Sequence, residues 1–265
     1  MTRTVTDAVI VLGLLAGNDP SDTATNGNSE IKDYSPFLVK DGLKGKRIGV
    51  EKTFLQVHEK VDALLQTAIK QMRDAGAEVV EVELLKDIDV NAEEYQLLQF
   101  EFKDGLNKYL AAANGKVKSL KALIDFNNQN DSLAMPHFRQ EILEASEAME
   151  SLESAQYKNV LKKITDVRTK IDSVLQSQGV HAICGPTNGP AWCTDLINGD
   201  FFTGYGMYSP AAMAGYPHIT VPMGFVEKLP VGITFFSSAF EEPKLISIAY
   251  AYEQVSMNRM QPEFS

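Results

Sequence analysis

Apolar positions recur at two periods along this chain, and the changes of period mark its elements. Residues 4–16 read as a helix: Thr4 is placed as an N-cap, Asp7 stands in the first turn, and Gly17 supplies a stop. A polar connector follows over 18–28 and offers little to bury. Arg47-Ile48-Gly49-Val50 reads as a short strand. Over 58–75, Val61, Leu64, Leu65, Ala68, Ile69 and Met72 recur at helical spacing up to Gly76. The period then drops to two over 77–84, with Val79 and Val80 followed by Val82 and Leu84. Strand, helix, strand in this order predicts two parallel neighbours joined by a right-handed crossover.

Residues 92–178 read as mostly helical, with breaks near Asn114-Gly115 and Met135-Pro136. In 138–178 the residues Phe138, Ile142, Met149, Leu152, Val160, Ile164, Val167, Ile171 and Val174 come close to a heptad. A coiled-coil arm and a helix or helix pair packed on a sheet both fit, and the irregular e/g charges favour the second. Gly, Pro and aromatics crowd 182–240, around short β-rich runs at 182–184, 218–221 and 231–235. A last helix is expected over 243–254, with Pro243 near its start and Leu245, Ile246, Ala249 and Tyr252 on one face. Interleaved strands and helices predict an α/β fold whose sheet is covered on both sides.

Composition narrows the classes. With 25 Lys+Arg against 35 Asp+Glu the formal net charge is −10, which argues against a nucleic-acid binder that works by neutralising phosphates. The balance of 44% hydrophobic and 23% charged residues over 265 positions suits one large globular domain or two small ones. Cys184 and Cys193 lack the spacing of a zinc or redox site and are expected to be buried thiols. The longest near-apolar run, 8–17, is about half of the ~20 residues a bilayer helix needs, so no membrane association is expected. As a signal peptide the same run is short and begins beside Asp7. Cytoplasmic placement is the default, and secretion stays open because a signal peptide would precede residue 1.

Standard catalytic motifs are absent from the sequence. Gly206-Met207-Tyr208-Ser209-Pro210 is no nucleophile elbow, His58-Glu59 is not followed by a second zinc-spaced His, and Gly42-Leu43-Lys44-Gly45-Lys46 lacks the Walker spacing. His181 and His218 fall in or beside strands, where a hydrogen-bonded structural role is the simpler reading. The most unusual segment, 185–200, follows a strand and holds the only tryptophan, Trp192. In an α/β sheet it lies where such folds bind ligands. An ordered surface loop held by Asx turns at Asn188, Asp195 and Asn198 explains its composition equally well.

Several segments carry a resemblance. Met1-Thr2-Arg3-Thr4-Val5-Thr6-Asp7-Ala8, then Lys44-Gly45-Lys46-Arg47-Ile48-Gly49-Val50, resemble consecutive segments of the amidase signature family. Gly215-Tyr216-Pro217-His218-Ile219-Thr220-Val221-Pro222-Met223-Gly224, Leu229-Pro230-Val231-Gly232-Ile233, Ala249-Tyr250-Ala251-Tyr252-Glu253-Gln254, Arg259 and Pro262 resemble its C-terminal signature. The Pro186-Thr187-Asn188-Gly189-Pro190-Ala191-Trp192 loop and Asn198-Gly199-Asp200 are most similar to the bacterial peptide-amidase branch.

The resemblance implies the C-terminal portion, residues 1–265, of a single amidase domain with a mixed β-sheet. It implies hydrolysis of linear amides or peptide amides through a Ser-cis-Ser-Lys triad, without a cofactor or metal. The triad precedes the Arg-Thr-Val segment in that family, so no residue here matches a triad member, and Ser237-Ser238 lacks the flanking glycines. Trp192, Asp195, Phe202 and Tyr205 are expected to line a wall of the substrate cleft, and Arg3 and Asp7 to serve structure. The partners implied are an amide or peptide-amide substrate and an N-terminal half, in cis or as a separate chain. The alternative is a non-catalytic complementing subunit, or a pseudo-enzyme that binds amides or peptides. Half of a sheet should also expose an unpaired edge and an apolar face, which predicts poor solubility or a homodimer.

Overall fold

The computed structural model describes residues 1–22, 25–26, 31–88 and 90–261. Positions 23–24 and 27–28 of the polar connector, and Pro262, lie outside them. The chain divides into two compact units. The first comprises Met1–Ile88, Val167–Ala191 and the chain from Phe202 onward, and the second comprises residues 90–166 and Trp192–Phe201. No helix among the described residues is long and apolar enough to cross a membrane.

The first unit holds the sheet. Helix α1 (Val5–Leu15) starts where expected, with the Thr4 hydroxyl accepting the Asp7 N–H at 3.0 Å. Strand β1 (Arg47–Glu51), helix α2 (Glu59–Asp74) and strand β2 (Glu78–Val82) form the anticipated unit, with β1 and β2 parallel and Ile48 opposite Val79. His58 caps α2 by accepting the Val61 N–H on Nδ1. Strand β3 (Ala182–Pro186) lies parallel to β1 on its other side. Strands β4 (His218–Val226) and β5 (Leu229–Phe236) form an antiparallel hairpin. The hairpin joins through β5, antiparallel to β3, in the order β2-β1-β3-β5-β4.

The hairpin strands run longer than the sequence signals suggest. Pro222 and Gly224 read as breaks, yet a bulge between them lets the ladder continue, and an edge strand tolerates a proline's missing donor. Helix α8 (Ser209–Ala214) precedes the hairpin and α9 (Glu242–Ser256) follows it.

Side-chain alternation sorts the core. Cys184 stands opposite Phe235, so both point to one face, where the Tyr252 ring of α9 lies 5.7 Å from Phe235. Leu65 and Met72 of α2 are fully buried in the same unit, each contributing roughly 1.5–3 kcal/mol by the usual transfer scale. Gly185 stands opposite Thr234 on the other face. A Cβ on Gly185 would meet Met207 Cγ at 3.1 Å and Phe54 Cδ2 at 3.3 Å, so the absence of a side chain is what admits this covering layer.

The second unit is helical: α3 (Asn91–Ala112), α4 (Leu120–Gln129), α5 (Asp131–Ala134), α6 (Glu141–Glu147) and the first half of α7 (Ala155–Ser177). Lys103 Nζ donates to the carbonyls of Glu147 at 2.5 Å and Met149 at 2.7 Å, tying the end of α6 to α3. The near-heptad does not form one arm. It breaks after α6, where Ser154 starts a new helix by accepting the Tyr157 N–H. Phe138 and Ile142 are exposed, whereas Val160 and Ile164 are buried. The packed-helix reading is the one that describes α7.

Candidate functional site

The parallel strands β1 and β3 end on the same side of the sheet, and the segments that leave them carry the unit's most elaborate polar contacts. Beyond β3 the chain stays tied to β5, through the Thr187 N–H to the Gly232 carbonyl at 2.8 Å. Asn188 Oδ1 accepts from the Gly189 N–H at 2.9 Å and the Thr203 hydroxyl at 3.3 Å, so the outgoing and returning arms of the loop are pinned together. Gly189 is required there, since a Cβ would lie 2.4 Å from Thr203 Oγ1.

Three threonines meet on the sheet beside this loop. Thr220 and Thr234 are cross-strand partners with hydroxyls 2.9 Å apart, and Thr187 lies 2.7 Å from Thr234 and 3.4 Å from Thr220. Each hydroxyl can donate once and accept twice, so the three form a closed ring with lone pairs to spare. Thr234 is buried and Thr220 is exposed. A Cβ at Gly232 would lie 2.7 Å from Thr220 Cγ2.

Glu51, at the end of β1, is fully buried. Its Oε1 accepts from the Thr53 N–H at 3.0 Å and the Thr53 hydroxyl at 2.7 Å, and its Oε2 from the N–H groups of Leu84 at 2.8 Å and Leu85 at 3.3 Å. This carboxylate therefore closes the ends of β1 and β2 together.

The four residues expected at the substrate wall divide between the units. In the second unit, half-buried Trp192 donates from Nε1 to Asp200 Oδ1 at 3.2 Å. Asp195 Oδ1 accepts the N–H groups of Ile197 and Asn198, and its Oδ2 accepts Asn198 Nδ2 at 2.8 Å. The backbone N–H of Asn198 leads the contacts that hold this carboxyl below the usual carboxylate range. Asp195 is thus the organiser of its own Asx turn.

In the first unit Phe202 is exposed, whereas Tyr205 is 1% exposed, with its ring 5.6 Å from Phe54. Burial, with a smaller contribution from Asp62, pushes the Tyr205 phenol up to about 12. Its hydroxyl has no hydrogen-bond partner.

Other candidate groups are occupied by structure. His181 Nδ1 accepts the Arg47 N–H at 3.1 Å, the structural role expected of it, and burial followed by Lys46 lowers its pKa. Ser237 donates to the His181 carbonyl at 3.0 Å, and Ser238 to Asp172 Oδ1 at 2.9 Å, a carboxylate whose Oδ2 also accepts the Tyr216 hydroxyl at 2.7 Å, so both serine hydroxyls are engaged in contacts that tie the fold together. The expectation of two buried thiols needs correction. Cys184 is buried in β3, but Cys193 is exposed, because it belongs to the polar loop and not to the strand before it. The start of α1 is tied to α9 by Glu253 Oε1, which accepts the Val5 N–H at 2.8 Å.

Taken together, the threonine ring and the pinned loop present hydroxyls that can orient an amide. No activated nucleophile stands beside them among the described residues.

Comparisons with known proteins agree with the resemblance in the sequence. The family model described as Amidase matches residues 1–246. A probable amidase of Arabidopsis thaliana is 33% identical over 99% of this chain and 49% of its own length. One subunit of the glutamyl-tRNA(Gln) amidotransferase of Caldanaerobacter subterraneus is 30% identical, over 96% of this chain and 53% of its own. Among solved structures, the native peptide amidase of Stenotrophomonas maltophilia is 38% identical with a TM-score of 0.92, covering 100% of this chain and 54% of that one. An amidase family protein of Bacillus anthracis is 31% identical with a TM-score of 0.82, covering 100% and 49%. The chain therefore spans about half the length of the curated relatives it matches.

Proposed function

Because this chain belongs to the Amidase family, we propose that it is the C-terminal half of an amidase that hydrolyses the C–N bond of linear amides or peptide amides. The observation that carries the reading is the match to the peptide amidase at 38% identity over the whole of this chain and 54% of the relative.

In the mechanism implied by the family resemblance, a lysine acts through a middle serine as general base. A second serine forms an acyl-enzyme, and backbone N–H groups hold the oxyanion. All of these belong to a half that precedes this one. The hydrogen bonds of Ser237 and Ser238 support that assignment, since both hydroxyls are used to hold the fold. This chain's share is the sheet, the threonine ring and the substrate-facing side chains. Trp192, Asp195, Phe202 and Tyr205 are its proposed substrate-binding residues. Trp192 in the second unit and Phe202 in the first each offer apolar side-chain surface, Asp195 sets the shape of the loop that carries Trp192, and buried Tyr205 packs against Phe54.

The test joins this chain to an upstream amidase half in one polypeptide and measures ammonia release from a peptide amide. Activity is expected from the joined protein and none from residues 1–265 alone. Hydrolysis by the isolated chain would overturn the division of labour, and an inactive, folded joined protein would favour a non-catalytic binding role. In the active protein, Trp192→Ala should lower kcat/KM by roughly tenfold, the loss of about 1.4 kcal/mol of contact.

A further inference from the structure

We propose that helix α3 is a self-association surface. Two copies of this chain pair along it, antiparallel about a two-fold axis, with the Tyr95 ring of each copy seated over Gly105 of the other.

Helix α3 packs by one side. Phe100 is its one buried residue. On a helical wheel Tyr95, Leu98, Phe102, Gly105 and Tyr109 fall within about 80° of one another, on the side opposite Phe100. Their alternating steps of three and four are those of a coiled-coil seam. The side chains on this stripe lie open: Tyr95 is 48% exposed, Leu98 57%, Phe102 41% and Tyr109 70%. Single apolar side chains on a surface need no partner, whereas three aromatics and a leucine aligned along one helix form a patch that marks an interaction site.

Gly105 decides what fits the seam. A Cβ at this position would meet nothing within 4 Å, so packing within the chain gives no steric reason for glycine. Helix formation gives none either, since glycine is the weakest helix former after proline. What the glycine provides is a gap in the stripe. In an antiparallel pair the layers of the seam set position 95 of one copy against 105 of the other, 98 against 102, and 91 against 109. Each ring then faces something smaller: Tyr95 faces Gly105, Phe102 faces Leu98, and Tyr109 faces Asn91. A parallel pair would instead stack Tyr95 on Tyr95 and leave Gly105 opposite Gly105, a hole that close packing does not tolerate.

The charges along the stripe favour the same arrangement. One flank carries Glu94, Glu101 and Lys108 in succession, seven residues apart. Antiparallel pairing brings Glu94 of each copy beside Lys108 of the other. Lys108 is held on the surface by Asp104 of its own helix, which leaves its ammonium beside the seam. Glu101 meets its own copy at the axis, where it accepts the Tyr157 hydroxyl at 3.0 Å. An anionic lipid surface would be repelled by two of these three flanking side chains, and so fits the stripe less well. Covering an aromatic side chain buries about 150–250 Å2, so the exposed parts of the three rings offer roughly 500–800 Å2 in a pair. That is short of the ~1,200 Å2 at which standard interfaces begin, so the dimer is a weak one.

The experiment is sedimentation velocity on residues 1–265. From about 1 to about 500 μM it is expected to show a monomer–dimer equilibrium with a Kd of about 10–100 μM, suited to so small an interface. Leu98→Glu and Gly105→Gln should each weaken the dimer at least tenfold. Neither should lower the Tm of the monomer, because Leu98 is exposed and the space over Gly105 is open. Glu94→Lys or Lys108→Glu alone should weaken it by about threefold to tenfold, and the two together should restore it, as antiparallel pairing requires. Glu101→Gln should tighten it by about twofold to fivefold, since it removes the like charges at the axis. A chain that stays monomeric over the whole range would overturn the proposal. So would a dimer indifferent to Leu98 and Gly105, a charge exchange that fails to restore affinity, or a dimer weakened by Glu101→Gln.

Discussion

Glu51 offers the sharpest test of how the end of the parallel sheet is held. It is a fully buried carboxylate that takes four donors, two from Thr53 and two from the Leu84 and Leu85 backbone. In Glu51→Gln the amide oxygen can serve the Leu84–Leu85 pair. The new NH2 can donate to the Thr53 hydroxyl once that hydroxyl turns. What remains is the Thr53 N–H facing a donor and the loss of charge from the other contacts. Hydrogen bonds to charged groups contribute about 1.5–3 kcal/mol, so a loss of roughly 1.5–3 kcal/mol follows. Glu51→Ala removes all four acceptor contacts, strands the buried Leu84 N–H and leaves a void, for roughly 3–5 kcal/mol. At about 2–4 °C per kcal/mol for a chain of this size, the Tm should fall by roughly 3–12 °C for Gln and 6–20 °C for Ala. Thermal unfolding followed by circular dichroism at neutral pH measures both. An unchanged Tm in the Gln variant, or Ala no worse than Gln, would refute the argument that this carboxylate is held by its donors.

Gly189→Ala should destabilise by about 1–3 kcal/mol, because the new Cβ is driven into the Oγ1 and Cβ of Thr203; in a Thr203→Gly background, which removes both opposing atoms, the same substitution should cost much less in a denaturation double-mutant cycle. His181 and His218 both have pKa values lowered in the fold, by burial first and, for His181, by Lys46 next. The unfolded chain then binds protons more readily, so their stabilisation is complete above pH 6.5 and is lost as the pH falls through the lowered values. Urea midpoints should drop between pH 7 and pH 5, and the drop should shrink in His218→Gln. Exposed Cys193 should react with a thiol reagent in the native protein, while Cys184 reacts only after unfolding, so labelling should proceed as one fast and one denaturant-dependent equivalent. Two fast equivalents would contradict the burial of Cys184.

Local periodicity made the front of the molecule legible. Thr4, Asp7 and the six apolar positions of α2 each report on neighbours within a turn, and those elements formed within a residue or two of expectation. The hairpin strands were under-read because Pro222, Gly224, Pro230 and Gly232 are strand breakers in isolation; edge position and the bulge accommodate Pro222 and Gly224 in β4, and Pro230 sits at the start of β5 beyond the residues that pair with β3. The near-heptad misleads in a similar way, since residues on both sides of the Ser154 helix start share one spacing without sharing one helix.

The site was legible in outline only. The loop after β3 was marked by its composition, and the amidase resemblance by residues in order along the chain. The threonine ring depends on the register that sets Thr220 opposite Thr234 and brings Thr187 alongside, which no local pattern encodes. Glu51 looks in sequence like one more polar residue after a strand, because its donors at Leu84 and Leu85 lie more than thirty positions away.

The strand order also sets a timetable for folding. β1, α2 and β2 are complete by residue 82, but the strand that must cover the other side of β1 begins at Ala182. During synthesis at about 5–20 residues per second, β1 waits roughly 5–20 s for that neighbour. The helical unit formed from residues 90–166 is translated in the interval and can fold from contacts close in sequence. Closing the sheet is therefore the late step, and the nascent chain carries the open side of β1 as its most vulnerable surface until β3 arrives.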